Sequence, residues 1–340
     1  MHRSELTLDL GAVRRNVKRL VSALDGAELW AVVKADAYGH GAADVAGAAL
    51  GAGATALCVA TVAEGLALRA EFPTARLIVM GPTSTNREIA QAREAALELV
   101  VVDDEIPEGL RVHLKLDTGM GRWGLSELPE PPTEVVGLMS HLASADCDRE
   151  FTERQIERFR AATEPYSHLT RHLANSAGAL RFPAARFDAA RCGIALYGLS
   201  PFGTDPGEDG LEPALLWSSH VAQVKPLAPG DSTGYGRRFV ADRPTWIGIV
   251  PVGYADGFRR DMTGTDIRVA GERCRVVGTI SMDALAVELE RELPVGTPVT
   301  LLGHGILAED HARVADTINY ELVSGINRHP TRARRTVVDS

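Results

Sequence analysis

The sequence predicts an α/β fold in two parts: a (β/α)8 barrel over residues 8–206, with two outer helices reduced or missing, and an all-β domain over residues 207–340. Three observations carry this reading. Eight short apolar runs, near 29–34, 56–60, 76–80, 98–102, 111–116, 135–140, 168–173 and 187–192, recur at the spacing of β/α units. Amphipathic or alanine-rich stretches, such as 62–70, 86–96 and 150–162, lie between most of them. Beyond residue 207 the helical stretches give way to short strands spaced by Gly, Pro and Asp. An open, doubly wound sheet is the alternative reading of the first part.

Residues 5–8 alternate and are expected to add a strand, within 1–7, to the all-β domain. A helix follows over 10–24, with Val13, Val17, Leu20, Val21 and Leu24 on one face and Asp9 as its cap. The unbroken apolar run 29–33 suits a strand buried on both faces, and it ends at Lys34. Tyr38 comes four residues later, and Gly39-His40-Gly41 opens the next helix. Two connections are abnormal. Only eight residues, with Pro107 and Gly109, join the fourth run to the fifth; extended, they reach ~26 Å, enough to return along a strand without a helix. Pro129, Pro131 and Pro132 disfavour a helix over 117–134. In the all-β domain, strands are expected at 221–224, 246–252, 267–270, 275–280, 284–289 and 299–302, with a helical piece over 312–323.

Bulk properties exclude several classes. Hydrophobic residues make up 45% and charged residues 24%, as in a soluble globular protein. A net charge of −9 argues against nucleic acid or an anionic membrane as partner. No apolar run is long enough to span a bilayer, and the first residues lack a signal-peptide core. Cys58, Cys147, Cys192 and Cys274 form no Cys-x-x-Cys pair, so neither a metal site nor a disulfide framework is indicated. These features point to a reduced, cytoplasmic protein.

In such barrels, chemistry gathers at the carboxyl ends of strands. Lys34 follows the first run. Lys115, Asp117 and the loop Thr118-Gly119-Met120-Gly121-Arg122 follow the fifth, and His141 the sixth. Asn175 and Ser176 follow the seventh, and Arg191 and Gly193 close the eighth. Only four of the 36 basic residues are lysines: Lys18, Lys34, Lys115 and Lys225. A sequence this committed to arginine keeps lysine where a guanidinium cannot substitute. At the end of a buried strand, low dielectric favours the neutral amine that Schiff-base chemistry requires. Ser176 and the backbone N–H groups of Gly193 and Ile194 lie where such barrels hold phosphate.

The motifs Ala31-Val-Val-Lys-Ala-Asp-Ala-Tyr-Gly-His-Gly41, His113-Leu-Lys-Leu-Asp-Thr-Gly-Met-Gly-Arg122, Ser140-His-Leu-Ala143, Ala174-Asn-Ser-Ala177 and Arg191-Cys-Gly-Ile-Ala-Leu-Tyr-Gly-Leu-Ser-Pro201 occur in this order. Gly234-Tyr-Gly236, Gly253-Tyr-Ala-Asp-Gly257, Gly278-Thr-Ile-Ser-Met-Asp283 and Ile318-Asn-Tyr-Glu321 follow them. Over nearly its whole length the sequence resembles the alanine racemases, fold-type III enzymes that use pyridoxal 5′-phosphate. The resemblance implies that Lys34 binds the cofactor as a Schiff base and serves one face of the substrate Cα. Tyr235 matches the base on the opposite face, which a racemase needs because the proton leaves from one side and returns from the other. His141 and Arg191 match the network behind that phenol, with Arg191 donating to the cofactor's pyridine nitrogen. Tyr38, Ser176, Gly193, Ile194 and Tyr320 match phosphate ligands. Arg122 matches a residue that reaches both cofactor and substrate carboxylate, oriented by a carbamylated lysine at Lys115. Met282 and Tyr254 match residues that complete the substrate pocket and that in the family come, with the match of Tyr235, from the partner subunit, so the resemblance implies a head-to-tail homodimer.

The implied reaction interconverts L- and D-alanine, supplying D-alanine for peptidoglycan. A racemase acting more broadly, on serine, lysine or arginine, is the nearest alternative, and a non-catalytic cofactor-binding protein is a third. The third predicts no second base and often no β domain, whereas the sequence carries both. The chain is shorter than is usual for the family, and the missing residues fall in the two weak connections.

Overall fold

In a computed structural model, which describes residues 2–83 and 85–340, the chain forms two compact units. One comprises residues 13–202 and 207–212; the other comprises 1–12, 203–206 and 213–340.

The first elements are β1 (Glu5–Asp9) and α1 (Leu10–Leu24). Asp9 caps the helix as expected, its Oδ1 accepting from the N–H of Gly11 at 2.8 Å. Val13, Val17, Leu20 and Leu24 are buried, but Val21 is 37% exposed. At 100° per residue Val21 stands on the shoulder of the apolar stripe rather than within it.

Eight parallel strands then close a barrel: β2 (Glu28–Val32), β3 (Ala56–Val59), β4 (Leu77–Val79), β5 (Glu98–Val101), β6 (Val112–Lys115), β7 (Val135–Met139), β8 (Thr170–His172) and β9 (Ala189–Cys192). Closure is made by β2 against β9, with Glu28 opposite Ala189 and Ala31 opposite Cys192. Between strands lie α2 (Lys34–Tyr38), α3 (Ala42–Ala52), α4 (Val62–Glu71), α5 (Asn86–Glu94), α6 (Arg149–Thr163) and α7 (Ser176–Arg181). Side chains at the starts of helices fix where they begin: Thr61 and Glu64 form a capping box on α4, and Asp148 and Asn175 cap α6 and α7. No helix forms between β5 and β6 or between β6 and β7, as the short and proline-rich connections predict. The second of these segments lies back along β6: Asp117 N–H donates to Leu125 O and Leu125 N–H to Lys115 O, both at 2.8 Å. Outward residues of β6 such as Val112 and Leu114 are fully buried all the same.

The second unit is built on a nine-stranded sheet. Its further strands are β10 (Leu215–His220), β11 (Gln223–Leu227), β14 (Thr245–Val250), β15 (Asp266–Val269), β16 (Glu272–Val277), β17 (Leu285–Leu289), β18 (Pro298–Leu302) and β19 (Arg334–Val338). A separate ribbon pairs β12 (Ser232–Thr233) with β13 (Phe239–Val240). The sheet order is β11-β14-β17-β16-β15-β18-β10-β1-β19, so β1 joins the sheet as expected. Three features depart from expectation. Residues 221–224, expected as one strand, are the turn Val221-Ala222 and the start of β11, and β10 before them lies outside the expected strand. The helix placed at 312–323 is split into α8 (Ala308–Val314) and α9 (Asn319–Ser324). Asp316 adopts φ 50° there and Thr317 N–H closes back on Ala312 O, which ends the first helix. The strand β19 has no apolar alternation to betray it; all five residues are exposed, and it exists by pairing with β1 at the sheet edge.

Candidate active site

The first strand stops at Val32, two residues before Lys34, because the chain turns left-handed there. Ala35, Asp36, Ala37 and Tyr38 all have φ between 50° and 54°, a conformation costing ~1–2 kcal/mol per L-residue. Fixed partners hold it. Ala37 N–H donates to Val33 O at 2.9 Å and Gly41 N–H to Asp36 O at 2.9 Å. The Asp36 carboxylate accepts from Ala42 N–H, and Glu64 on α4 accepts from Ala35 N–H at 2.8 Å. Lys34 is therefore presented by a stiff turn, with Nζ 5.9 Å from the Tyr38 ring centre. Burial first, then the charges of Arg122 and Arg191, lower its pKa against the opposing pull of Glu64. Its neutral amine is correspondingly easier to reach.

Tyr38 lies across the backbone of Gly193: a Cβ on that glycine would be 2.5 Å from the phenol oxygen. Tyr197 packs on Tyr38 at 5.1 Å and donates its hydroxyl to Val32 O at 2.6 Å, while His40 stacks on Tyr197 at 4.5 Å. Ser176 opens α7, and its Oγ accepts from the N–H of Gly193 at 3.1 Å and, more weakly, of Ala195 at 3.5 Å. Ser176, Gly193 and Tyr38 thus meet just beyond β9, with Ile194 next in the chain.

Arg191 is 3% exposed and is anchored by both terminal nitrogens. Nη1 donates to His172 Nδ1 and His172 O, each at 2.8 Å. Nη2 donates to Ser140 O at 2.7 Å, Leu173 O at 3.4 Å and His141 Nδ1 at 3.2 Å. The Nε–H has no hydrogen-bond partner among the described residues. Burial pushes the guanidinium pKa down to about 10, so it stays charged near neutrality. Burial, with Arg191, Arg122, Lys115 and Lys34 around it, holds His141 well below the usual imidazole range. His141 is therefore neutral, and because its Nδ1 accepts, its Nε2 carries the proton.

Lys115 ends β6 and is 4% exposed. Burial, then Arg122 and Arg191, bring its pKa down to about 8 despite Asp117. Lys115 and Arg122 share the indole of Trp123, at 5.5 and 4.9 Å. Asp117 shapes the loop between them: its carboxylate accepts from the N–H groups of Gly119, Met120 and Gly121. Burial raises the Asp117 pKa, but those three donors outweigh it and hold the group ionised.

Tyr235, Tyr254, Met282 and Tyr320 belong to the β unit. Thr279 Oγ1 donates to Tyr235 O at 2.8 Å. Tyr254 N–H donates to Ser281 O at 3.0 Å and Ala255 N–H to Met282 O at 3.1 Å, so one ladder carries three of the motifs. Gly253 is required for it, since a Cβ there would lie 2.2 Å from Ser281 O. The three side chains are presented to solvent: Tyr235 is 73% exposed, Met282 53% and Tyr254 41%. Tyr320 is half-buried on α9, and Asn327, just beyond that helix, donates to Asp256 O and Ala255 O.

A family model described as "Alanine racemase, N-terminal domain" matches residues 8–201, and one described as "Alanine racemase, C-terminal domain" matches residues 214–334. The chain belongs to the alanine racemase family. It is 40% identical to the alanine racemase of Symbiobacterium thermophilum, over 96% of this chain and 95% of that one. It is 38% identical to alanine racemase 1 of Bacillus subtilis, over 96% and 91%. Among solved structures, the biosynthetic alanine racemase of Pseudomonas aeruginosa superposes with a TM-score of 0.92 at 35% identity, covering 99% of this chain and all of that one. The alanine racemase of Streptomyces lavendulae gives 0.91 at 33%, covering 100% and 98%. By its family the chain is an isomerase, and no helix among the described residues is long and apolar enough to cross a membrane.

Several residues that shape the candidate site escape a reading of the sequence. Glu64 leaves a signal, the Thr61-x-x-Glu64 capping box, but nothing local says that its second oxygen holds the Lys34 turn. Asp256 closes the Tyr254 turn and is held there by Arg3 and Arg332 from distant positions: Asp256, 1% exposed, accepts from Gly253 N–H at 2.9 Å and from Arg3 at 3.0 Å, and pairs with Arg332. Tyr197 and His172 read in sequence as ordinary core residues.

Proposed function

We propose that this family member interconverts L- and D-alanine with pyridoxal 5′-phosphate, using Lys34 and Tyr235 on opposite faces of the substrate Cα. The observation that carries this reading is Arg191, a 3% exposed side chain whose Nη1 and Nη2 are anchored by neutral acceptors while its Nε–H has no protein partner among the described residues, on the same barrel rim as an amine of lowered pKa. A guanidinium can donate but never accept, so it suits an unprotonated ring nitrogen. The Gly193 backbone that Tyr38 crosses offers a cradle that a Cβ would fill, and with Ser176 and the Ile194 N–H it is where the phosphate fits. By the family resemblance Tyr320 matches a further phosphate ligand.

Bound there, pyridoxal 5′-phosphate supplies the carbonyl that Lys34 takes up and an electron-withdrawing ring that acidifies the substrate Cα–H. Arg191 keeps the ring nitrogen unprotonated, which weakens the electron sink and favours returning a proton to Cα over decarboxylation or transamination. Lys34 then holds a proton at one face of Cα, and Tyr235 at the other. His141, fixed with its Nε2–H outward, bridges from Arg191 toward the phenol. Arg122 receives the substrate carboxylate.

Lys115 is carbamylated in this account. Its neutral amine adds to CO2, the nitrogen lone pair forming the N–C bond and a proton leaving to solvent. The anion so formed replaces a repulsive ammonium beside Arg122 and Arg191. Tyr235, Tyr254 and Met282 serve the site of a second copy in a head-to-tail homodimer, which accounts for their exposure. D-alanine made in the cytoplasm goes to peptidoglycan.

The test is a substrate panel. Cofactor-loaded protein should racemise alanine well ahead of serine, lysine and arginine; comparable rates on the larger substrates would replace the alanine assignment by a broad one. Racemisation of none of the four would overturn the reading.

A further inference from the structure

We infer that Glu98, His113 and His172 are positioning residues for Arg191, joined in a hydrogen-bonded relay through the barrel interior whose direction is set from both ends. The catalytic consequence rests on the cofactor-facing role proposed for Arg191; the relay itself does not.

None of the groups that accept from Arg191 is anionic: they are three carbonyls and two imidazole nitrogens. The carboxylate that answers this charge lies two imidazoles away. His172 Nε2 is 2.9 Å from His113 Nδ1, and His113 Nε2 is 2.8 Å from Glu98 Oε2. Glu98 also accepts from Arg76 and from Arg111, both at 2.9 Å. Glu98 opens β5, while Arg76 and Arg111 stand just before β4 and β6, at the amino rim. Arg191 is the third residue of β9, on the catalytic side. The relay therefore connects the rim that normally serves stability to the rim that serves chemistry.

Its direction follows from the donor inventory. Arg191 can only donate, so His172 Nδ1 must be bare and its proton must sit on Nε2. That proton points at His113 Nδ1, which must also be bare. The remaining proton of His113 is on Nε2 and goes to Glu98, which as a carboxylate can only accept. Reversing either ring would set two donors, or two acceptors, face to face. His113 and His172 are both wholly buried, and burial holds each ring neutral: on His113 it acts with the charges of Arg76 and Arg191 and against the pull of Glu98, and on His172 it acts with Arg191, His113 and Arg76.

Packing fixes the rings as firmly as the protons do. Trp30 lies against His172 at 4.5 Å and against His113 at 5.7 Å. Gly137 leaves the space His113 occupies, for a Cβ there would be 2.2 Å from His113 Nδ1. The rigid acceptor under Nη1 keeps the guanidinium from turning, and this fixes where the Nε–H points.

The relay is read directly by nitrogen-15 NMR of histidine-labelled protein, with and without cofactor. His113 and His172 should both show the neutral form with the proton on Nε2, unchanged between pH 6 and 9. A proton on Nδ1 of either ring, or titration within that range, overturns the relay whatever the enzyme's activity. An inactive protein with both rings in the expected form would sink the function reading alone. The Glu98→Leu variant should shift the His172 signals although the two residues do not touch; an unmoved His172 counts against the relay. The positioning role is tested by two substitutions of one residue. His172→Leu removes the acceptor and should lower kcat by about 10²-fold with little change in KM. His172→Asn places an oxygen where Nδ1 was and should recover most of that loss; equal losses in the two variants overturn the role.

Discussion

The phenol of Tyr38 crosses Gly193 so closely that a Cβ on the glycine would lie 2.5 Å from its oxygen and 2.9 Å from the carbon that bears it. Two motifs more than 150 residues apart in sequence thus depend on one missing methyl group. The contact also bears on Lys34, because Tyr38 closes the left-handed turn that the lysine opens.

Gly193→Ala should therefore displace Tyr38 and weaken cofactor binding. We expect an affinity loss of about tenfold or more, read by absorbance titration of the apo-protein, since about 1.4 kcal/mol suffices for a factor of ten. Unchanged affinity would remove the Tyr38–Gly193 cradle from the phosphate site.

Tyr235→Phe should lose racemisation by several orders of magnitude and keep the bound cofactor. Tyr235 stands on the β unit, exposed and held through its backbone by Thr279, so the loss of its hydroxyl disturbs no internal hydrogen bond among the described residues. The paired readout is activity against the absorbance of bound cofactor near ~420 nm. Retained racemisation would assign the second face of Cα to another group.

Lys115 carbamylation should follow pH through the ionisation of its amine. With a pKa of about 8, the amine is increasingly neutral and able to take up CO2 as pH rises from 7 to 9. Carbon-13 NMR of protein in labelled bicarbonate should show one carbamate carbonyl per chain, absent from Lys115→Met. No such signal across that range would leave Lys115 unmodified.

How much of this could be read in the sequence depends on how local each cause is. The eight barrel strands and the helices between them are legible because apolar periodicity acts within a few residues. The missing helices are legible from Pro129, Pro131, Pro132 and a connection too short to hold one. The left-handed turn at Ala35–Tyr38 is not, for those residues contain no glycine and owe their conformation to partners such as Glu64. The strand at Arg334–Val338 is invisible in the same way, since an edge strand borrows its conformation from β1. Glu98, His113 and His172 stand on three separate strands; only barrel closure puts them in line.

Glu98 also makes an acid-stability prediction. Burial raises its carboxyl pKa, but hydrogen bonds from His113 and Arg76 and their charges outweigh burial and bring it from 4.5 down to about 2. A folded pKa below the unfolded one stabilises the fold above pH 4.5, and the gain is lost as pH falls toward 2. Glu98→Gln should thus be less stable than the parent at pH 6, by up to about 3 kcal/mol, with the gap closing between pH 4.5 and 2. Denaturant melts across that range measure it, and a gap independent of pH would mean that Glu98 acts by shape rather than charge.

The central claim is that this protein moves a proton on and off alanine Cα through two faces. The most direct measurement is to incubate cofactor-loaded protein in D2O with L-alanine, and separately with D-alanine, and follow both enantiomers by chiral chromatography and mass. Enantiomers have equal free energy, so both reactions should converge on equal amounts, the newly formed enantiomer should carry deuterium at Cα, and Lys34→Ala should abolish the exchange. Alanine that keeps its configuration and its Cα hydrogen in the presence of the loaded protein would contradict the account.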